Sequence, residues 1–117
     1  MSYDVNTKQE YNAPAPAVSQ SASQILESLG GKLSKMNNPA KGQLEATFNK
    51  KISGKPLPNR CQVRVKVVPK SAESCAVMTK TFPVDPLGNK LSFGVRGDAA
   101  QVVSDTFLEA LAASVTG

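Results

Sequence analysis

The sequence predicts an α+β fold, in which an antiparallel sheet of about four strands forms a meander and helices from the N- and C-terminal parts pack on one face. Three observations support this prediction. At 117 residues the chain has room for one hydrophobic core. Apolar residues recur at helical spacing near both ends of the chain. Between these segments they alternate with polar residues at the strand period of two.

The first 17 residues (MSYDVNTKQEYNAPAPA) are polar and end in an alternation of alanine and proline. Proline in this pattern disfavours helix and favours extended conformations. We therefore expect residues 1–17 to be a flexible or extended N-terminal tail. Residues 18–117 are expected to form a single α+β domain.

The first predicted helix runs from Val18 to Leu29 and is followed by Gly30-Gly31, a stop that is common just past a helix C-terminus. Its apolar residues repeat every three or four positions, so they lie on one helical face. Its exposed face is rich in serine, which has weak helix propensity. We expect this helix to gain its stability by packing on the sheet.

Two strands with matching apolar faces follow, at 43–52 and 59–68, with residues 53–58 as the hairpin loop between them. A symmetric loop places Leu44 opposite Val67 and Phe48 opposite Val63. Apolar side chains then share one face of both strands, and a slip of one residue would destroy this agreement.

A third strand is predicted at 74–84 and a fourth at 90–96. The buried face of the third strand stays open, because apolar residues occur on both of its faces. A final helix follows, with Asp98 as its expected N-cap. Its apolar stripe comprises Ala100, Val103, Phe107, Leu111 and Val115.

Residue types that carry much enzyme chemistry are missing from the sequence. There is no histidine, so neither a Ser–His nor a Cys–His arrangement can form. Cys61 and Cys75 have no close-spaced metal pattern and are too far out of register for a disulfide. Both are interpreted as structural thiols, with redox sensing as the alternative. No glycine-rich phosphate loop is present, and we expect no enzyme activity, no metal and no cofactor.

Positive charge is concentrated in residues 31–70, which carry ten lysines and arginines against one acid, Glu45. Arg64 and Lys66 project from the outer face of the predicted sheet, and Arg60 falls near Lys51, a like-charge contact that a purely structural sheet tends to avoid. An ordinary solvated face, with lysines that discourage aggregation, is the alternative. The predicted anion-binding surface comprises Lys50, Lys51, Lys55, Arg60, Arg64, Lys66 and Arg96.

The expected partner of this surface is an acidic protein, a larger complex or anionic lipid headgroups. Nucleic-acid recognition by base stacking is not expected, because Phe48 and Phe93 have the parity of the core. A nucleic-acid backbone contacted only by charge stays open. No apolar run is long enough to span a membrane and no presequence is evident, so we expect a soluble cytoplasmic protein.

The segment KLSFGVRGD at 90–98, together with Phe107 and Leu111 in the helix that follows, resembles the end of the kinase-associated C-terminal domain. Several members of that family bind acidic phospholipids or serve as regulatory contacts. The resemblance therefore implies a lipid-binding or regulatory surface. The order of elements is also similar to the helix-grip lipid-carrier fold, provided that part of the N-terminal segment is a strand.

The leading hypothesis is a non-catalytic binding module, whose basic sheet and loop surface engages an acidic protein or an anionic membrane. One alternative is a small accessory subunit of a larger multiprotein assembly, with its tail ordered by partners. A second alternative is a small carrier of a hydrophobic ligand, which requires an apolar cavity between the sheet and the helices.

Overall fold

The computed structural model describes residues 4–91 and 98–116. In these ranges the α-helices are α1 (Ala15–Ser28) and α2 (Ala99–Thr116), and a short 3-10 helix spans Pro39–Lys41. The strands are β1 (Val5–Tyr11), β2 (Lys32–Leu33), β3 (Gln43–Phe48), β4 (Lys51–Ile52), β5 (Lys55–Pro56), β6 (Cys61–Ser71) and β7 (Ser74–Pro83). Five strands form an antiparallel sheet in the order β1-β7-β6-β3-β2, and β4 pairs with β5 in a separate hairpin. The predicted α+β class, with a helix from each end of the chain packed on an antiparallel sheet, is confirmed.

Residues 5–11 form an edge strand of this sheet, where the sequence pattern suggested a tail. β1 pairs with β7 along its whole length, with Val5 opposite Thr81 and Tyr11 opposite Cys75. Main-chain hydrogen bonds hold such a strand, so it needs few apolar side chains, and its polar composition did not reveal it. The Ala-Pro alternation opens α1, because a proline in the first helical turn loses no hydrogen bond.

The predicted register of the long hairpin is wrong by two residues. Leu44 of β3 lies opposite Val65 of β6, and Phe48 lies opposite Cys61. The cause is the connection between them, which folds into the β4–β5 hairpin instead of a simple six-residue loop. A shift of two residues equals the side-chain period of a strand, so the predicted inner and outer faces are both preserved.

The structure decides which face of β7 is buried. Val77 and Thr79 lie opposite Val67 and Val65 of β6, on the face that the helices cover. The other face is exposed only in its middle, at Met78 and Lys80, whereas Ala76 and Phe82 on the same face are each 3% exposed. We call the helix-covered side of the sheet the inner face and the opposite side the outer face.

The hydrophobic core lies between the inner face and the two helices. α2 packs against α1 and against β7, β6 and β1, while α1 packs against β3, β2, β6 and β7. The largest fully buried apolar side chains are Phe48, Phe107, Leu26, Ile52 and Leu111. Every one of them belongs to a segment whose apolar spacing is visible in the sequence.

The predicted fourth strand at 90–96 lies mostly outside the described residues, as does Arg96. Lys90 makes an isolated antiparallel bridge with Val84. α2 begins at Ala99, directly after Asp98. Within the described ranges, neither helix is long and apolar enough to cross a membrane.

Candidate ligand-binding site

The residues of the predicted anion-binding surface lie on separate parts of the fold. Arg64 and Lys66 are on the outer face of β6, as expected. Lys50, Lys51 and Lys55 belong to the β4–β5 hairpin and its approach, which is not part of the main sheet. Arg96 falls outside the described residues.

The predicted contact between Arg60 and Lys51 depended on the register that proved wrong. Lys51 instead lies opposite Pro56 in the small hairpin. The Arg60 guanidinium donates a hydrogen bond through Nε to Asn49 Oδ1, at 2.6 Å. Arg60 therefore pairs with a neutral amide, and the predicted like-charge pairing with Lys51 is wrong.

The outer face carries a groove of about 610 Å³. Its lining includes Lys8, Met36, Arg64, Lys66, Met78 and Lys80. Two neighbouring cross-strand rows form it: Lys8–Met78–Lys66–Gln43 and Asn6–Lys80–Arg64–Glu45. Sequence reasoning found Arg64 and Lys66 but missed Lys8 and Lys80. Lys8 could be placed only once the pairing of β1 with β7 was known, and Lys80 only once the buried face of β7 was known.

Ion pairs neutralise one row of the groove. Arg64 Nε lies 3.3 Å from Glu45 Oε2, and Gln62 Nε2 donates to the other oxygen of Glu45 at 3.0 Å. Asp4, whose side chain is only 8% exposed, lies 3.4 Å from Lys80 and 2.6 Å from Lys90. Lys90 and Arg64 also lie over the Phe82 ring, at 5.6 and 5.1 Å from its centroid.

A second feature is a set of buried hydroxyls on β1, β7 and α2, the helix that packs against both of these strands. Thr79 and Thr81 of β7 are at most 2% exposed, and Ser104 of α2 is fully buried. Thr7 of β1 lies directly opposite Thr79. None of these four hydroxyl oxygens has a hydrogen-bond partner among the described residues. We call the side-chain hydroxyls of Thr7, Thr79, Thr81 and Ser104 the inner-face hydroxyls.

The surroundings of these hydroxyls are apolar. Thr81 is flanked across the sheet by Val5 and Val63, and Thr79 by Val65 on its β6 side. α2, which packs against β7 and β1, contributes fully buried Val103 and Phe107 to the same core. A buried hydroxyl without a partner costs about 1–3 kcal/mol in such surroundings, so each of these atoms calls for a hydrogen-bonding group that the described residues do not supply.

Both cysteines are buried free thiols, Cys61 opposite Pro83 and Cys75 opposite Pro69. Burial raises the pKa of Cys61 to about 12 and also raises that of Cys75, because a buried thiolate loses its hydration. Thiolate is the reactive form, so neither side chain is activated as a nucleophile. Among the described residues, no group of three or more His, Cys, Asp or Glu side chains could hold a metal ion.

We expect a thiol reagent such as Ellman's reagent to leave the native protein unlabelled at about pH 8 and to label both cysteines in urea, because labelling needs an exposed thiolate. The ordinary thiol pKa is 9.0 and that of folded Cys61 about 12. The stabilising contribution of this proton is therefore complete below about pH 9 and is lost as the pH rises towards 12. Rapid labelling of the native protein would contradict the buried position.

Comparison with solved structures shows what the fold resembles. The di-domain ARO/CYC protein BexL of the BE-7585A biosynthetic pathway matches with a TM-score of 0.59 at 14% identity, over 97% of this chain but only 46% of the BexL chain. A START superfamily protein from Mycobacterium smegmatis matches with a TM-score of 0.55 at 13% identity, over 97% of both chains. XoxI from Bacillus cereus matches with a TM-score of 0.52 at 15% identity, over 99% of this chain and 96% of that one. No protein-family model and no curated protein sequence matches the chain.

These likenesses establish a START-like fold. They agree with the helix-grip resemblance and give no support to the kinase-associated domain. The expectation that the chain is not an enzyme is contradicted, because an ARO/CYC protein has the same fold. That expectation relied on the residue types that the sequence lacks, above all histidine.

Proposed function

We propose that this chain binds a small, largely apolar organic molecule between α2 and the β1–β7 side of the sheet. The inner-face hydroxyls are the observation that carries the proposal, because Thr81 and Ser104 are fully buried without a hydrogen-bond partner among the described residues. The START-like fold supports it as well. Of the three functions that the sequence suggested, the hydrophobic-ligand carrier is therefore the one we retain.

The hydroxyls indicate the chemistry of the ligand. A threonine or serine hydroxyl both donates and accepts, so it can pair with a carbonyl, a hydroxyl or an amine of the bound molecule. The remaining surface is aliphatic and aromatic, with Val103 and Phe107 from α2 and Val77 from β7. A ligand with an apolar ring body and one or two polar groups satisfies both requirements. The same hydroxyls can orient and polarise a ligand carbonyl.

Access to this position requires α2 to separate from β7. Ala99, Val103 and Phe107 are at most 1% exposed, so the face of α2 that meets the sheet is closely packed. Binding would then select a more open arrangement of α2, and the hydrogen bonds made to the hydroxyls would offset part of its cost.

The other two hypotheses stay predictions. A contact of the basic surface with an acidic protein or an anionic membrane would have to use two separate patches, Arg64 with Lys66 on β6 and Lys51 with Lys55 on the small hairpin. An accessory-subunit role would show as co-elution with larger proteins in size-exclusion chromatography of native extract. Elution at the monomer mass of 12.3 kDa would count against it.

The proposal is tested with the double variant Thr81→Val/Ser104→Ala and the fluorescent apolar amine N-phenyl-naphthylamine (NPN). Valine keeps the shape of threonine, so the free energy of unfolding of the unliganded variant should be unchanged or raised by up to about 1 kcal/mol. Loss of one hydrogen bond should raise the Kd for NPN by about fivefold. Fluorescence titration measures the Kd, and urea unfolding measures stability.

The matched control is Thr47→Val, which makes the same chemical change on the outer face of β3. It should leave the NPN affinity unchanged. If the double variant binds NPN as tightly as the wild type, the hydroxyls serve a buried water and the proposal fails. Destabilisation of the double variant by more than about 1.5 kcal/mol would show that the hydroxyls have partners within the protein.

A further inference from the structure

The groove on the outer face lies on the opposite side of the sheet from the hydroxyls of the inner face, although Thr7 and Thr79 also contribute to its lining. Its central row runs from Lys8 on β1 through Met78 on β7 to Lys66 on β6. Adjacent strands lie about 4.8 Å apart, so the backbones of the two lysines are about 10 Å apart with the methionine between them. Lys8 and Lys66 are exposed, and Met78 is 38% exposed.

The two lysines of this row are the cations that the groove leaves without an acidic partner. Arg64 is paired with Glu45 and Lys80 with Asp4, whereas no ion pair within 4 Å forms at Lys8 or Lys66 in the described part of the chain. The acid nearest to Lys8 along β1 is Glu10, which is engaged by Lys70. That contact lowers the pKa of Glu10. The row therefore combines one apolar side chain with two lysines that form no ion pair among the described residues. The charge of Lys8 contributes to the lowered pKa of Glu10, after that of Lys70.

Apolar surface extends the groove beyond this row. Met36, on the segment between β2 and β3, is 68% exposed and lines the same groove. Methionine side chains are flexible and polarisable, and they occur often at surfaces that adapt to aromatic ligands. Lysine stems add further apolar contact while keeping the ammonium group in water. The groove thus presents two methionines beside two lysines that form no ion pair in the described ranges.

We infer that this groove is a second ligand site, which binds a small organic anion with a flat apolar body. The volume of about 610 Å³ falls within the range that small-molecule sites occupy, about 300–1,000 Å³. An anionic group pairs with Lys8 or Lys66 while the apolar body lies against Met78 and Met36. An anionic membrane fits less well, because Met78 lies within a groove, whereas membrane association favours protruding apolar groups.

The test uses the full chain with anilinonaphthalene sulfonate (ANS), an aromatic sulfonate, and with NPN, which has the same ring system without the sulfonate. Lys8→Gln/Lys66→Gln should raise the Kd for ANS by about fivefold to tenfold and leave the Kd for NPN unchanged. ANS binding to the wild type should weaken as the salt concentration rises, because exposed charges are screened. Met78→Ser should weaken ANS without changing the salt dependence.

The matched control is Lys51→Gln/Lys55→Gln, which removes the same net charge from the β4–β5 hairpin and should leave ANS affinity unchanged. Equal weakening by the two double variants would reduce the effect to net charge and overturn the inference. The inference would also be overturned if the protein bound phosphatidylglycerol vesicles through Lys8 and Lys66 but did not bind ANS. The inner-face variant Thr81→Val/Ser104→Ala should keep wild-type ANS affinity, so failure of this inference and failure of the proposed function give different results. Near-ultraviolet circular dichroism of each variant confirms that ANS reports on the folded state.

Discussion

Replacing Gly42 with alanine should destabilise the fold by at least about 3 kcal/mol, because a backbone clash adds to the cost of a left-handed conformation. Gly42 has φ of +69°, and a Cβ built on it would clash with the carbonyl oxygen of Val67. The Gly42 carbonyl in turn accepts a hydrogen bond from Val67 N at 2.8 Å. The chain cannot move away from β6 without losing this bond. Urea unfolding followed by circular dichroism measures the effect.

Gly54→Ala is the matched control. Gly54 also has a left-handed φ, +81°, but nothing lies within 4 Å of a Cβ built there. This variant should lose only the conformational part, about 1 kcal/mol. Equal losses for the two variants would show that the close approach of Gly42 to Val67 is not maintained in solution. Because Gly42 follows the segment that carries Met36, Gly42→Ala should also weaken ANS binding in the outer groove.

Replacing Phe107 with alanine should cost about 3–5 kcal/mol, the usual loss for a fully buried phenyl group. Phe107 is 0% exposed and belongs to the core cluster that joins α2 to the sheet. Small domains have about 5–15 kcal/mol of stability in total, so this variant should be only marginally folded. Phe107→Leu keeps most of the apolar volume and should remain folded with a smaller loss.

Leu87→Ala is the matched control, because Leu87 is 87% exposed and its truncation should change stability by less than about 0.5 kcal/mol. Thermal unfolding followed by circular dichroism compares Phe107→Ala, Phe107→Leu and Leu87→Ala with the wild type. A loss below 1 kcal/mol in Phe107→Ala would be inconsistent with a helix α2 that is tightly packed on the sheet. It would favour an arrangement in which α2 already separates from β7 in the absence of ligand.

The two faces of the long hairpin could be predicted from the sequence, whereas its register could not. Val63, Val65 and Val67 alternate with polar residues, and this period alone assigns the buried face of β6. The register depends on how residues 49–60 are folded. That connection forms a hairpin of its own, which the alternation of side chains does not predict. As a result, Glu45 lies opposite Arg64 and not opposite Lys66.

Only part of the candidate sites was accessible to sequence reasoning. Arg64 and Lys66 were identified from local charge and strand parity. Lys8 and Met78 join Lys66 only because β1 and β6 pair with opposite edges of β7. The inner-face hydroxyls were missed altogether. Threonine on a strand whose buried face is not known, and serine in a helix, are both common in exposed positions. If the face of Val77 had been assigned as the buried face of β7, Thr79 and Thr81 would have been predicted to be buried.

Local patterns in the sequence therefore specify the α+β class, the apolar stripe of α2 and the faces of β3 and β6, since each depends on a periodicity within a few residues. Tertiary structure decided the role of β1, the register of the hairpin and the composition of both sites. Those features depend on main-chain hydrogen bonds between strands distant in sequence, such as Val5 with Thr81, and backbone pairing leaves little trace in side-chain composition.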